Sequence, residues 1–63
     1  MWVLLSVVFQ DILGVHHVDE ETIGPCRDAV QARYLMMRRL KRIVAEKDAG
    51  KSRIVSHNFV VLP

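Results

Sequence analysis

The side chains best suited to metal or proton chemistry lie in the first half of the chain. Two adjacent histidines, His16 and His17, are followed by the acidic run 19–21. Neighbouring residues of an extended chain point to opposite sides, so these two imidazoles would not share one ion. The spacing matches no known metal-ligand pattern. We therefore predict no metal site and no other cofactor, and interpret the segment as a polar loop leading into a helix.

The single cysteine, Cys26, is the next candidate for chemistry. A thiol near the start of a helix can be activated, because that end of a helix stabilises the thiolate. No sequence signature of a cysteine nucleophile surrounds Cys26, and one cysteine cannot form a disulfide within the chain. We expect it to be a buried structural residue. Because no other catalytic motif is present, we do not expect an enzyme.

A dense cationic run is the third candidate, formed by Arg38, Arg39, Lys41 and Arg42. The net charge is only +2, but all nine Lys and Arg residues lie within 27–53. Such a run can contact phosphates without reading base sequence. Nucleic-acid binding through these four residues is one hypothesis. The alternatives are binding to an acidic protein surface and a helix face that is simply solvated.

The strongest structural pattern predicts one long amphipathic helix from Pro25 to about Asp48. Proline suits the first turn of a helix, and Gly50 is placed to end it. At 100° per residue, one side of this helix collects apolar residues: Cys26, Ala29, Val30, Met36, Met37, Leu40, Ile43 and Val44. The opposite side collects polar ones: Arg27, Gln31, Arg38, Arg39 and Arg42.

Two residues of the predicted helix depart from this division. Leu35 falls on the charged side, and Arg33 falls in the middle of the apolar side. A buried charge without a partner is costly, so we expect Arg33 to pair with an acid such as Asp11. That ion pair would form within the chain or between two copies in a two-fold assembly.

Apolar segments on both sides of the helix predict strands. Residues Trp2–Phe9 favour a strand covered on both faces, with a helix as the alternative. Residues Val15–Val18 either extend that strand or pair back on it as a short second strand. Asp19 is expected to cap a short turn. The last predicted strand is Arg53–Leu62, and a parallel pairing with the first strand would require a right-handed crossover.

The size of the chain indicates that it needs a partner. Its 63 residues predict a single domain, 1–63, with a small core. Hydrophobic residues make up 51% of the chain, more than so small an interior can hide. We predict an α+β or small α/β fold of strand–helix–strand order, completed by a second copy or by a partner chain.

The predicted function is that of a small protein–protein interaction module: a regulator, inhibitor or accessory subunit that acts as a homodimer or within a larger complex. The predicted interface residues lie on the basic amphipathic helix: Tyr34, Leu35, Met37, Arg38, Arg39 and Arg42. One alternative is a nucleic-acid-binding regulator. Another is a membrane-associated subunit anchored by residues 1–9, although nine apolar residues are too few to span a bilayer. We expect a cytoplasmic or other intracellular location.

Overall fold

The chain folds into a three-stranded antiparallel sheet with one helix packed on one of its faces. A computed structural model describes all residues, 1–63. The elements in chain order are β1 (Trp2–Gln10), β2 (His16–Ile23), α1 (Ala29–Ala49) and β3 (Arg53–Leu62). The strand order across the sheet is β2-β1-β3, so β1 is the central strand. The predicted α+β class and the strand at the N-terminus are confirmed.

The acidic segment differs most from its prediction. It was expected to be a loop and a turn, but it belongs to β2, which pairs antiparallel with β1 along its whole length. Asp19 lies opposite Val7 in this pairing and caps no turn. Acidic residues have a low intrinsic preference for strands. The pairing with the apolar strand β1 overrides that preference.

The alternative that Val15–Val18 pairs back on the first strand is thus confirmed in longer form as β2, and this strand changes the relation between β1 and β3. Each connection reverses the chain direction, so inserting β2 makes β3 run antiparallel to β1. The two strands are neighbours, as the strand–helix–strand interpretation required. The parallel arrangement and its right-handed crossover do not apply. A bulge at Val55 shifts the register, because Val8 pairs with Ser56 whereas Phe9 pairs with Ile54.

The helix begins four residues later than predicted. Asp28 is the N-cap, and its Oδ1 accepts a hydrogen bond from the backbone N–H of Gln31 at 2.8 Å. Pro25 lies instead in a short connection that binds the N-terminus. The backbone N–H of Cys26 donates to the Met1 carbonyl at 2.6 Å, and the Met1 ammonium donates to the Cys26 carbonyl at 3.1 Å. Cys26 is buried, as predicted.

The end of the helix lies close to the predicted position. α1 ends at Ala49, and Gly50 is the C-cap, with its N–H donating to the Glu46 carbonyl. Gly50 itself keeps a negative φ of −84°. The next residue, Lys51, takes the left-handed conformation with φ of 61°. The chain therefore reverses toward β3 at Lys51 rather than at the glycine.

The hydrophobic core lies between β1 and α1. Val3, Leu5 and Val7 are almost completely buried on the sheet face that α1 covers. The other buried residues are Ile23, Cys26, Ala32, Met36 and Ile43. On the opposite face of the sheet, Leu4 and Val8 are only half-buried. The prediction that β1 is covered on both faces is therefore wrong for the single chain, because one helix covers only one face.

The orientation of α1 explains where the two residues that departed from the predicted pattern lie. The buried stripe of Ala32, Met36 and Ile43 is rotated roughly 70° from the predicted apolar side, at 100° per residue. Leu35 consequently lies half-buried against the core. Arg33 lies on an exposed flank of the helix and is not a buried charge.

The burial of β1 makes a direct stability prediction. Leu5→Ala should lower the free energy of unfolding by about 3 kcal/mol, because it removes fully buried methyl groups and leaves a cavity. Leu13→Ala is the matched control, because Leu13 is 84% exposed in the β1–β2 turn. Urea unfolding followed by circular dichroism measures both. Equal losses in the two variants would contradict this assignment of the core.

Candidate docking surface and cationic helix face

The edge strand β3 presents an unusually unprotected surface. It has ten residues, pairs only with β1, and is exposed from Val55 to Leu62. Its free backbone N–H and C=O groups can pair with another strand. Proteins normally block such edges with lysines, prolines or bulges. In β3 these devices are confined to its start, where Arg53 and the bulge at Val55 lie, and 56–62 contains neither lysine nor proline.

The opposite edge of the sheet is protected. β2 carries three consecutive carboxylates, Asp19, Glu20 and Glu21. Asp19 and Glu21 lie opposite Val7 and Leu5, so their side chains are on the helix-covered face of the sheet. Inward-pointing charges on an edge strand discourage a further strand from pairing there. The two edges therefore differ in kind, and only β3 is open to strand addition.

An open apolar cleft accompanies the β3 edge on the helix side of the sheet. Its volume is about 430 Å³, and seven of its eight lining residues are hydrophobic. The lining residues are Val3, Ala29, Val30, Ala32, Arg33, Met36, Phe59 and Val61. Phe59 and Val61 remain 42% and 46% exposed although they face the helix. The core is thus incomplete on the side of β3.

The exposed flank of α1 extends this apolar surface. Val30 is 80% exposed, and Met37 is also exposed on the same side of the helix. Both belong to the predicted apolar face, which the rotation of α1 leaves only partly covered. The chain's own sheet is too narrow to cover the apolar width of its helix. Arg33 is the only charged residue in the cleft and makes no ion pair within the chain.

The uncovered face of the sheet is a weaker docking candidate. Polar side chains cross its middle, where Ser6 of β1 lies between Glu20 of β2 and Asn58 of β3. This row separates the apolar residues at the two ends of the face. An apolar partner would have to desolvate the Glu20 carboxylate in order to bind there.

Apart from Arg33 in the cleft, the cationic residues of α1 fall into two groups. Arg39 and Lys47 are tied to the acidic strand β2. Arg39 Nη1 lies 3.0 Å from Glu21 Oε1, and Lys47 Nζ lies 2.8 Å from Asp19 Oδ2. Lys47 also lies over the ring of Phe9, 3.8 Å from its centroid. Their charges are matched by the sheet, so both contribute to helix docking.

The second group remains available to solvent. Arg38 and Lys41 have no carboxylate partner, and Arg38 lies 5.8 Å from the centroid of the Tyr34 ring. Arg42 has only an exposed contact of 3.4 Å with Glu46, which contributes little. Arg38, Lys41 and Arg42 therefore keep most of their capacity to bind an external anion.

The turn between β1 and β2 is held by Asp11. Its Oδ1 accepts the backbone N–H groups of Leu13 and Val15, both at 2.9 Å, and its Oδ2 lies 2.7 Å from His17 Nε2. The hydrogen bond from His17, followed by that from Val15, lowers the pKa of Asp11 below its ordinary value of 3.8. The imidazole of His17 also stacks on Phe9. The carboxylate of Asp11 is thus already bonded within its own turn and to His17.

The predicted interface residues of α1 differ in their exposure to solvent. Tyr34, Met37, Arg38 and Arg42 are exposed, whereas Leu35 and Arg39 are half-buried. Arg33 and Asp11 do not pair within the chain, and an ion pair between copies stays a prediction. The β3 edge was not identified from the sequence. The available signal was the apolar run Phe59–Leu62, which has no charge or proline to protect it.

No three His, Cys, Asp or Glu side chains come together as metal ligands would. No helix combines the length and the apolar composition that a membrane span requires. The apolar segment 2–9 forms the central strand of the sheet, which buries Val3, Leu5 and Val7. The chain matches no known protein family, no curated protein and no solved structure.

The Asp11–His17 contact predicts a specific dependence on pH. His17→Ala should raise the pKa of Asp11 toward 3.8, because it removes the largest cause of the lowered value. His16→Ala is the matched control, since adjacent residues of β2 point to opposite faces. NMR titration of the Asp11 carboxyl measures the pKa in both variants. An unchanged value in His17→Ala would contradict the contact.

The lowered pKa of Asp11 also determines how the stability of the fold changes with pH. A carboxylate with a lowered folded-state pKa stabilises the fold at pH values above its ordinary pKa of 3.8. That contribution is lost as the pH falls through the lowered value. The difference between the unfolding midpoints of wild type and His17→Ala should therefore be larger at a pH just above 3.8 than in stronger acid, where only the loss of the stacking on Phe9 remains.

Proposed function

We propose that this chain is a protein–protein interaction module that works as a homodimer, with β3 of one copy pairing antiparallel to β3 of the other. The observation that carries the proposal is the long unprotected edge of β3 beside an open apolar cleft. A self-pairing module of this kind suits a regulator, inhibitor or accessory subunit.

The difference between the two sheet edges favours a second copy. Antiparallel self-pairing of β3 obeys a two-fold axis perpendicular to the sheet, so both copies use the same surface. It would produce a six-stranded sheet in the order β2-β1-β3-β3-β1-β2. Both outer edges would then be the acidic strand β2, which resists further strand addition. The assembly closes at two copies and leaves no unprotected edge.

The apolar surface beside β3 favours the same arrangement. Under this symmetry both helices lie on one face of the extended sheet, and their exposed flanks turn toward the axis. Val30 and Met37 of each copy would line the space above the paired strands, together with Phe59 and Val61. This burial would complete the cleft that the single chain leaves open.

The dimensions are adequate for a stable dimer. A ten-residue strand spans roughly 33 Å, and the longest dimension of the molecule is 39 Å. A standard interface buries about 800 Å² per partner. That is roughly one sixth of the 4584 Å² accessible surface of this chain. The edge, the cleft and the helix flank would together have to supply this fraction of the surface.

A charge placed on β3 should prevent the dimer. Val61→Lys introduces an inward-pointing lysine at the apolar edge, where pairing would desolvate it, and we expect dimer affinity to fall at least about tenfold, equivalent to 1.4 kcal/mol. Light scattering coupled to size-exclusion chromatography over a range of concentrations measures the mass. Wild type should be a dimer in the concentration range in which the variant is a monomer.

Val18→Lys is the control because it adds a lysine to the other edge of the sheet, where the side chain points to the uncovered face. Val18 is 60% exposed on β2, and Val61 is 46% exposed on β3. The control should remain a dimer. Circular dichroism verifies that both variants are folded. A monomeric wild type, or loss of the dimer in Val18→Lys alone, would refute pairing through β3.

A further inference from the structure

The face of α1 that points away from the sheet is positively charged over most of its length. Residues 29–45 contain five cations and no Asp or Glu. Lys41 and Arg42 follow Arg38 by three and four residues, so each lies about one helical turn from Arg38 and next to it on the helix surface. The carboxylates nearest in sequence, Asp28 and Glu46, lie outside the segment. An anion approaching α1 from solvent therefore meets cations first.

The pairing within the chain shows which of these cations are available. Arg39 is fixed to Glu21 at 3.0 Å and serves the packing of α1 on β2. Arg38 and Lys41 have no carboxylate partner, and the contact between Arg42 and Glu46 is long and exposed. The sequence alone grouped Arg39 with the other three. In the structure Arg39 is paired, so the cations that remain available are Arg38, Lys41 and Arg42.

The chemistry of this set favours phosphate. An arginine guanidinium matches two phosphate oxygens in a bidentate geometry, and lysine adds a mobile point charge. We propose that Arg38, Lys41 and Arg42 bind the phosphate backbone of a double-stranded nucleic acid. The proposed contact is to the backbone, and phosphate contacts carry no information about base sequence.

The structure argues against two other polyanions. Single-stranded binding sites use aromatic side chains as stacking platforms, and Tyr34 is the only aromatic residue of α1. Tyr34 lies instead against Arg38. A helix that binds a lipid surface buries its apolar face in the bilayer. The stripe of Ala32, Met36 and Ile43 is already packed on the sheet, so α1 has only the flank with Val30 and Met37 left to insert.

The proposed homodimer would double this surface. The two helices lie on the same face of the six-stranded sheet, so both cationic sets point in one direction. A duplex lying across that face would contact six cations in place of three. This doubling rests on the proposed dimer, but the site on each chain does not.

The test is fluorescence anisotropy with a labelled mixed-sequence DNA duplex, measured at several salt concentrations. Phosphate contacts release counterions, so the affinity of the wild type should fall steeply with salt. Arg38→Gln/Lys41→Gln should bind at least about tenfold more weakly and should reduce the slope of log K against log salt by about 2. Arg27→Gln/Lys51→Gln is the control, because it also removes two positive charges but leaves both this face and the β3 edge intact. Its affinity should stay within about twofold of wild type, as only distant charges change.

Several outcomes would overturn the inference. Equal losses in the two variants would show that only net charge matters. A tighter complex with a single strand of the same length would contradict the assignment to a duplex. Equally tight binding to anionic vesicles or to polyglutamate would contradict the assignment to nucleic acid. Light scattering on the same samples separates the two proposals, because a monomeric wild type that binds the duplex would support this site and reject the dimer.

Discussion

The burial of the central strand β1 is the constraint on which the rest of this structure depends. Val3, Leu5 and Val7 are removed from water only because β2 and β3 lie on either side and α1 lies above. Only eight residues of the chain are buried. Burial of apolar area is the main favourable term in folding, so a core of this size leaves little reserve stability. The remaining hydrophobic residues lie on surfaces that a single helix cannot cover.

The acidic and basic residues, which are separated along the sequence, are brought together between β2 and α1 in the fold. Glu21 and Asp19 of β2 face α1 and pair with Arg39 and Lys47, respectively. Such partly exposed ion pairs each contribute about 1 kcal/mol or less. Their effect is to set which flank of α1 lies over β2 rather than to hold the fold together. The opposite, apolar flank is thereby directed toward β3.

This orientation gives the chain two separate surfaces of different chemistry. The apolar edge of β3 and its cleft lie to one side of α1, and the cations without close partners lie on top of it. A change at Val61 therefore does not touch Arg38, and a change at Arg38 does not touch the edge strand. Self-association and anion binding can be altered independently, although both surfaces depend on how α1 sits on the sheet.

The sequence by itself determined the helix, its end near Gly50 and the strands at both termini, because these depend on local preferences and on the period of apolar residues. It also indicated that so apolar a small chain leaves surface for a partner. Local pattern could not show that the acidic run 19–21 is a strand, since only pairing with β1 makes it one. Nor could it fix the rotation of α1, which ion pairs to β2 and the packing of Met36 and Ile43 decide together. That rotation placed Arg33 in solvent and Leu35 against the core, and it separated Arg39 from the cations that remain available.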